Sequence, residues 1–496
     1  MNTQHNSNLH VPLSEGRTAK AIAWNSLGKI VRVICQLCII TILGRNLNHQ
    51  EFAIAIFLLI PFEITVTLST RTFSQCLIQK GAWDNDKAST AFFLNLFSSI
   101  LVSLLLYSLI YFFHGSNQPQ GFNLTVLAIC LMAPISALSI IPQAILSCRL
   151  NFKAIAISEI ISSIISLTTA SLAIYLGFGY ISIIVFAGTQ RLVEVVLLHC
   201  ACPNLPTLQF NYEIAQEQTI FSLPLFGMYI VTTIIISIDQ VFVGLVLGAE
   251  ALAFYGLAKR VTDQPMRLLM QSVERALLPA VVRVSTDGEA SKKLYERSIE
   301  AVCLVSGTCF FGLAAVSATL IPLIFGGKLS EAVPLVQFFS IQAAFLPIGS
   351  VLLTYIIAAG ATGKQLRFTL TRMATLTVFT IGLIHLTGGG ALELAILTAC
   401  ANVLLLFPNI LLARAHSVVQ IRSTMKAALR GFLPGTIAAL SAFSVEKLVF
   451  PGSPHLATCI AAGGFAWICV VIVVHRVELN WLRDVFQARI SRSFQS

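Results

Sequence analysis

Apolar residues gather along this chain in fourteen runs separated by short polar connectors. The runs are roughly 18–28 residues long, and a helix needs about 20 to cross a hydrocarbon core. They predict helices at 20–43, 51–69, 88–113, 122–147, 153–176, 180–199, 219–247, 251–282, 297–321, 333–358, 365–386, 391–413, 427–447 and 456–475. A twelve-helix reading, with the final pair as an accessory hairpin, fits the same pattern. The connectors alternate in charge. With both termini cytoplasmic, 21 of the 32 lysines and arginines fall inside, and only Arg45, Lys328 and Lys447 fall outside. One missed helix would scramble that alternation, which follows the positive-inside rule. The connector 200–218 is an exception, with Glu213 and Glu217 but no Lys or Arg. Acidic residues weigh little in the rule.

Composition agrees. The chain is 56% hydrophobic and 11% charged, with a mean hydropathy of +0.83, whereas soluble domains carry about 25% charged residues. The expected class is an all-α integral membrane protein. The net charge of +10 is accounted for by a cytoplasmic rim attracted to anionic membrane lipids, without nucleic acid. The polar head 1–17 reads as a disordered cytoplasmic terminus. No cleavable signal peptide is expected, because the first span carries Lys29 and Arg32. No Walker motif points to ATP hydrolysis. Most of the 12 cysteines sit inside spans as small packing residues, and no His/Cys spacing suggests a metal. No cofactor is expected.

The chain reads as two related halves. The first span ends Leu43-Gly44-Arg45 and the next opens Glu51-Phe52-Ala53; the seventh ends Leu247-Gly248-Ala249 and the eighth opens Leu252-Ala253-Phe254-Tyr255. An even helix offset makes the repeat parallel. The expected organisation is a six-helix lobe at 18–200, a cytoplasmic linker at 201–218, a second lobe at 219–415, an extra helix pair at 416–475 and a basic tail at 476–496.

Charges inside the spans carry the candidate chemistry. A charge at the bilayer centre costs at least ~2.5–3.5 kcal/mol, so it should face a cavity or a partner. Asn25, Lys29, Arg32 and Gln36 share one face of the first span, and Arg260, Asp263, Arg267, Gln271 and Glu274 share one face of the eighth. Asp239, Glu63 and the pair Arg191 and Glu194 lie in other spans. Arg191–Glu194 and Arg260–Asp263 have the spacing of local ion pairs. Lys29 and Arg32 have no acidic neighbour on their own helix. They suit an anionic ligand: Arg by bidentate phosphate recognition, Lys as a point charge. Asn25, Lys29, Arg32, Arg260, Arg267 and Gln271 are therefore the candidate substrate-binding groups. Asp239, Asp263, Glu63 and Glu274 are candidates for ion coupling or static pairing. Pro61, Pro134, Pro142, Pro224, Pro265 and Pro279 mark possible kinks.

At these residues the chain resembles the oligosaccharide flippases of the polysaccharide transporter branch of the MOP superfamily. The first block is Ala23-Trp24-Asn25-Ser26-Leu27-Gly28, then Gly44-Arg45-Asn46-Leu47 and Glu51-Phe52; Gly44 stands where Ala is usual. The second, more specific block is Asp239-Gln240, Gly244, Leu247 to Leu252, Phe254-Tyr255, Arg260 and Leu278-Pro279-Ala280, with Ala253 in place of the usual Gly. The third runs from Gln342 to Gly360-Ala361-Thr362-Gly363-Lys364. The resemblance covers about residues 18–415. It implies two six-helix bundles, a V-shaped central cavity, alternating access and a polyprenyl-pyrophosphate-linked oligosaccharide as substrate. It further implies a place in exopolysaccharide, capsule or O-antigen assembly, with a polysaccharide polymerase and export machinery as partners. Two extra C-terminal helices are also a feature of related lipid II flippases. The rivals are a cation-coupled multidrug exporter of the same superfamily, a membrane-embedded glycan polymerase and a non-transporting scaffold. An exporter site should be richer in acids and aromatics than the two stripes here, and a polymerase needs a long external loop that this chain lacks.

Overall fold

The computed structural model describes residues 15–79, 85–113, 122–148, 151–202, 209–284, 287–359, 389–416, 419–445 and 456–474, with scattered positions within 369–382. The polar head to 14, most of the eleventh predicted span and the basic tail 476–496 lie outside the described residues. The long elements are α1 (Glu15–Asn46), α2 (His49–Gln79), α3 (Asn85–Phe113), α4 (Phe122–Ala137), α5 (Ile140–Cys148), α6 (Phe152–Tyr175), α7 (Ser182–Ala201), α8 (Tyr212–Val246), α9 (Gly248–Arg283), α10 (Gly288–Phe325), α11 (Ala332–Ala358), α12 (Ala391–Leu404), α13 (Leu406–His416), α14 (Ile421–Ser444) and α15 (Leu456–Val474). The all-α membrane architecture expected from the apolar runs is the one observed. Among the described residues, eight segments are long and apolar enough to cross a membrane. Large apolar side chains such as Leu104, Phe112, Leu440 and Phe465 point outward, the placement that hydrocarbon solvent favours and water does not.

Two expected spans are each broken in the middle, both by proline. Pro142 has no N–H for the Leu138 carbonyl, so the chain turns through Leu138 and Ser139 before α5 begins. The turn is closed by Leu138 N donating to Ile135 O at 3.2 Å and Ser139 N to Ser136 O at 3.1 Å. Pro408 stands in the same relation to Leu404, where α12 ends. Pro61 and Pro134, by contrast, lie inside uninterrupted helices.

Two other helices begin earlier than their apolar runs. α10 starts at Gly288 rather than 297, because the Asp287 carboxylate accepts from Glu289 N and Ala290 N, each at 3.0 Å. Its 38 residues span about 57 Å at 1.5 Å per residue, well beyond a core of about 30 Å. Lys292, Lys293 and Arg297 therefore ride on a helical extension. α8 starts at Tyr212 rather than 219, capped by Asn211. Gln218 Nε2 donates to Lys87 O at 2.9 Å, tying the second turn of α8 to the start of α3.

The chain divides into two compact units, Met1–Gly256 and Leu257–Ser496, with the division inside α9. The expectation set it at 201–218. The physical difference is that α8 packs on α2 and α3, which holds it in the first unit. In that unit α6 packs between α1 and α7. In the second unit α10 packs on α11 and α14, and α14 on α15. Tyr295, Ile299, Phe310, Val351, Leu352 and Phe432 belong to its apolar core.

The C-terminal helix pair is integral to this unit. At Gly435 a Cβ would sit 2.5 Å from the Gly307 carbonyl carbon and 2.7 Å from Thr308 N. Gly431 meets the Glu300 carbonyl oxygen just as closely. Gly431 and Gly435 form a G-x-x-x-G pair, the spacing that lets two membrane helices approach backbone to backbone. The contact is fixed at one end by the Tyr295 and Thr424 hydroxyls, 2.7 Å apart, and α15 is tied to the same stretch of α10 by Trp467 Nε1 donating to Thr308 Oγ1 at 2.7 Å.

Candidate functional site

Lys29 and Arg32 lie one turn apart on α1, on a single face. Below them, Trp24 carries the Lys153 ammonium 5.8 Å from its ring centre, a cation–π contact that ties α1 to the start of α6. At Gly28 the two helices pack closely. A Cβ there would stand 3.0 Å from Ala156 Cα and 2.6 Å from Glu159 Oε2. The facing side of α6 is made of small residues, with Ala156, Ser162, Ser163 and Ser166 fully buried. Ser163 Oγ donates to the Glu159 carbonyl at 2.6 Å and accepts from Gln190 Nε2 of α7 at 3.1 Å. Small residues on α6 thus bring α1 and α7 within reach of the same carboxylate.

The result is a four-charge cluster inside the first unit. Arg32 Nη2 lies 2.8 Å from Glu194 Oε1 and 3.7 Å from Glu159 Oε1. Arg191 Nη1 lies 3.0 Å from Glu194 Oε2, with its guanidinium 6.0 Å from the centre of the Phe62 ring. Two cations and two anions cancel, which removes most of the cost of holding each alone in hydrocarbon. The two Glu side chains are 6% exposed, whereas Arg32 keeps 20% of its side-chain surface open. Arg32 has no acidic neighbour on its own helix, but α6 and α7 supply two, so removing it would strand buried carboxylates. The Arg191–Glu194 pair is present, and Glu194 is shared. Glu159 was missed by sequence reasoning. Its one signal was a lone carboxylate in an apolar run, which demands a partner but does not say on which helix.

The remaining candidates are placed elsewhere. Asp239 Oδ2 accepts from the Tyr255 hydroxyl at 2.8 Å, and Oδ1 from Gln240 N at 2.9 Å. Tyr255 is fully buried, so two residues of the second resemblance block form an α8–α9 lock across their corner. Tyr255→Phe should lower stability by about 1.5–3 kcal/mol, the scale of a hydrogen bond to a charged group, read as a drop in the thermal midpoint. Asp263 lies 3.9 Å from Arg267 Nη2 on the same helix. Arg260 is buried, while Gln271, Glu274 and Glu63 are partly exposed. The Asn25 side chain lies outside the described residues. Among the described residues no group of His, Cys, Asp or Glu is arranged to hold a metal.

The sequence pattern of the polysaccharide biosynthesis protein family matches residues 42–334, more than half of the chain. The chain belongs to that family. The matched segment holds Glu159, Arg191, Glu194, Asp239 and Tyr255; Lys29 and Arg32 precede it. Among curated relatives, the succinoglycan biosynthesis transport protein ExoT of Rhizobium meliloti is 21% identical, over 95% of this chain and 96% of its own. Among solved structures, the lipid II flippase MurJ in an inward closed conformation superposes with a TM-score of 0.69 at 16% identity, covering 94% of this chain and all of that one. A multidrug resistance MATE transporter of the MOP superfamily, inward-facing, gives a TM-score of 0.59 at 14% identity over 84% of this chain and 96% of its own. At such identities the two structures establish the fold.

Proposed function

We propose that this protein translocates a polyprenyl-pyrophosphate-linked oligosaccharide across the bacterial cytoplasmic membrane by alternating access, with both termini on the cytoplasmic side. The observation that carries the reading is the nearly end-to-end match to a relative named as a succinoglycan biosynthesis transport protein. The basic face of α1 supports it. A pyrophosphate needs cations within the membrane, and Lys29 and the partly open Arg32 share one face of α1. Arg260, Arg267 and Gln271 are the corresponding candidates in the second unit.

The test is a leaflet-resolved assay of a labelled lipid-linked oligosaccharide in proteoliposomes. The wild-type protein should equilibrate the label between leaflets. Lys29→Ala should slow transport about tenfold or more, the equivalent of one charge-assisted contact. Arg32→Lys keeps a charge for both carboxylates but loses the planar fork, and should act partially. Full activity in a protein carrying both changes would remove α1 from the site.

A cation-coupled multidrug exporter is the second reading, favoured by the fold shared with the MATE transporter and by the buried carboxylates Glu159 and Glu194. It predicts movement of a labelled organic cation in the same vesicles and none of the glycolipid.

A further inference from the structure

The four-charge cluster is neutral as it stands, although one of its cations is the group proposed to bind an anion. A neutral cluster does not hold a pyrophosphate unless a carboxylate gives way. The geometry shows which one can. Glu194 is held from both sides, hydrogen-bonded to Arg191 at 3.0 Å and with its other oxygen 2.8 Å from Arg32 Nη2, a close ion pair without hydrogen-bond alignment. Glu159 is held loosely: its nearer oxygen is 3.7 Å from Arg32, beyond hydrogen-bond length. Its other oxygen is buried with no hydrogen-bond partner among the described residues. That oxygen occupies the space left open by Gly28. Arg32 Nε is likewise buried without a hydrogen-bond partner, so the guanidinium has donor capacity that the two carboxylates leave unused.

We propose that Glu159 is an internal counter-anion for Arg32. It holds the guanidinium while no substrate phosphate is present and yields it to the pyrophosphate of the lipid-linked substrate. When Glu159 withdraws, Arg32, Glu194 and Arg191 remain as two cations around one anion, with a net charge of +1 and an open guanidinium edge. The exchange also releases the polar contact between α6 and α1 while leaving the Gly28–Ala156 contact in place. Substrate binding thereby changes a helix–helix contact, which is the differential interaction that a ligand needs to shift a conformational equilibrium. Glu159 is a positioning residue and does not touch the substrate. This inference rests on the flippase reading and deepens it.

The experiment measures binding of farnesyl pyrophosphate, with uncharged farnesol as control, to the purified full-length protein in detergent. Wild type should bind the pyrophosphate in preference to the alcohol, and Arg32→Gln should lose that preference. Glu159→Gln keeps the shape and removes the competing charge. If the held form outnumbers the released form about tenfold, this variant binds about tenfold more tightly, because apparent affinity scales with the competent fraction. Glu159→Asp, which retains the charge farther from Arg32, should bind about two- to threefold more tightly on the same basis; it serves as the readout if the Gln variant does not fold. Wild-type binding, lost in Arg32→Gln but no tighter in either Glu159 variant, overturns the counter-anion and leaves the flippase reading standing. No preference for pyrophosphate in wild type overturns both.

Discussion

Replacing Glu194 with alanine should cost the folded protein about 3–5 kcal/mol, the penalty for removing one partner of a buried ion pair. Glu194 is the member of the cluster that both guanidiniums contact, Arg32 at 2.8 Å and Arg191 at 3.0 Å. Without it, two like charges face one another in a membrane-embedded site, with only the loosely held Glu159 between them. Arginine does not escape by losing its proton, so the repulsion must be borne or the helices must separate. The effect should appear as a large fall in the thermal midpoint and in the yield of monodisperse protein. Adding Arg191→Met to Glu194→Ala removes one of the stranded charges and should recover part of the loss, a non-additivity of about 0.5–3 kcal/mol. A single Glu194→Ala variant as stable as wild type would mean that the cluster is not formed in the membrane.

Gly435→Ala is expected to destabilise the protein by about 1–3 kcal/mol, the usual range for overpacking a filled interface, and Gly435→Leu by more. The added carbon has no side chain to push aside; it meets the backbone of α10 at Gly307 and Thr308. Relief requires α14 to move away, which stretches the Tyr295–Thr424 contact between the two helices and disturbs the packing of α15, whose Trp467 donates to Thr308 of α10. Gly464→Ala is the control. A Cβ there meets nothing within 4 Å, and alanine favours a helix by about 1 kcal/mol relative to glycine, so the thermal midpoint should hold or rise. Equal effects at the two positions would detach the C-terminal pair from the core of the second unit.

Much of the fold was legible along the chain because burial in a membrane is a local property. An apolar run of span length has few alternatives in hydrocarbon, where every backbone N–H must be satisfied within its own helix. The two broken spans were not legible from proline alone: Pro142 and Pro408 each remove a donor from a carbonyl four residues earlier, but Pro61 and Pro134 do the same inside unbroken helices. Helix starts were harder. Asp287 and Asn211 cap α10 and α8 well before the apolar runs begin, and a hydropathy pattern does not register a cap.

The candidate site divides along the same line. The sequence alone determined that Lys29 and Arg32 share a face, that Arg191 and Glu194 are within reach of each other, and that charges in these spans demand partners. Those facts follow from a helical period of 3.6 residues and from the cost of a lone charge in hydrocarbon. Only the tertiary structure decided that Arg32 belongs with Glu194 and Glu159, because those contacts join three helices. They depend on how closely α1, α6 and α7 approach at Gly28, Ala156 and the buried serines. Charge states what must be neutralised, and spacing along one helix finds neighbours on that helix. The partner across an interface is chosen by packing, which no single segment encodes.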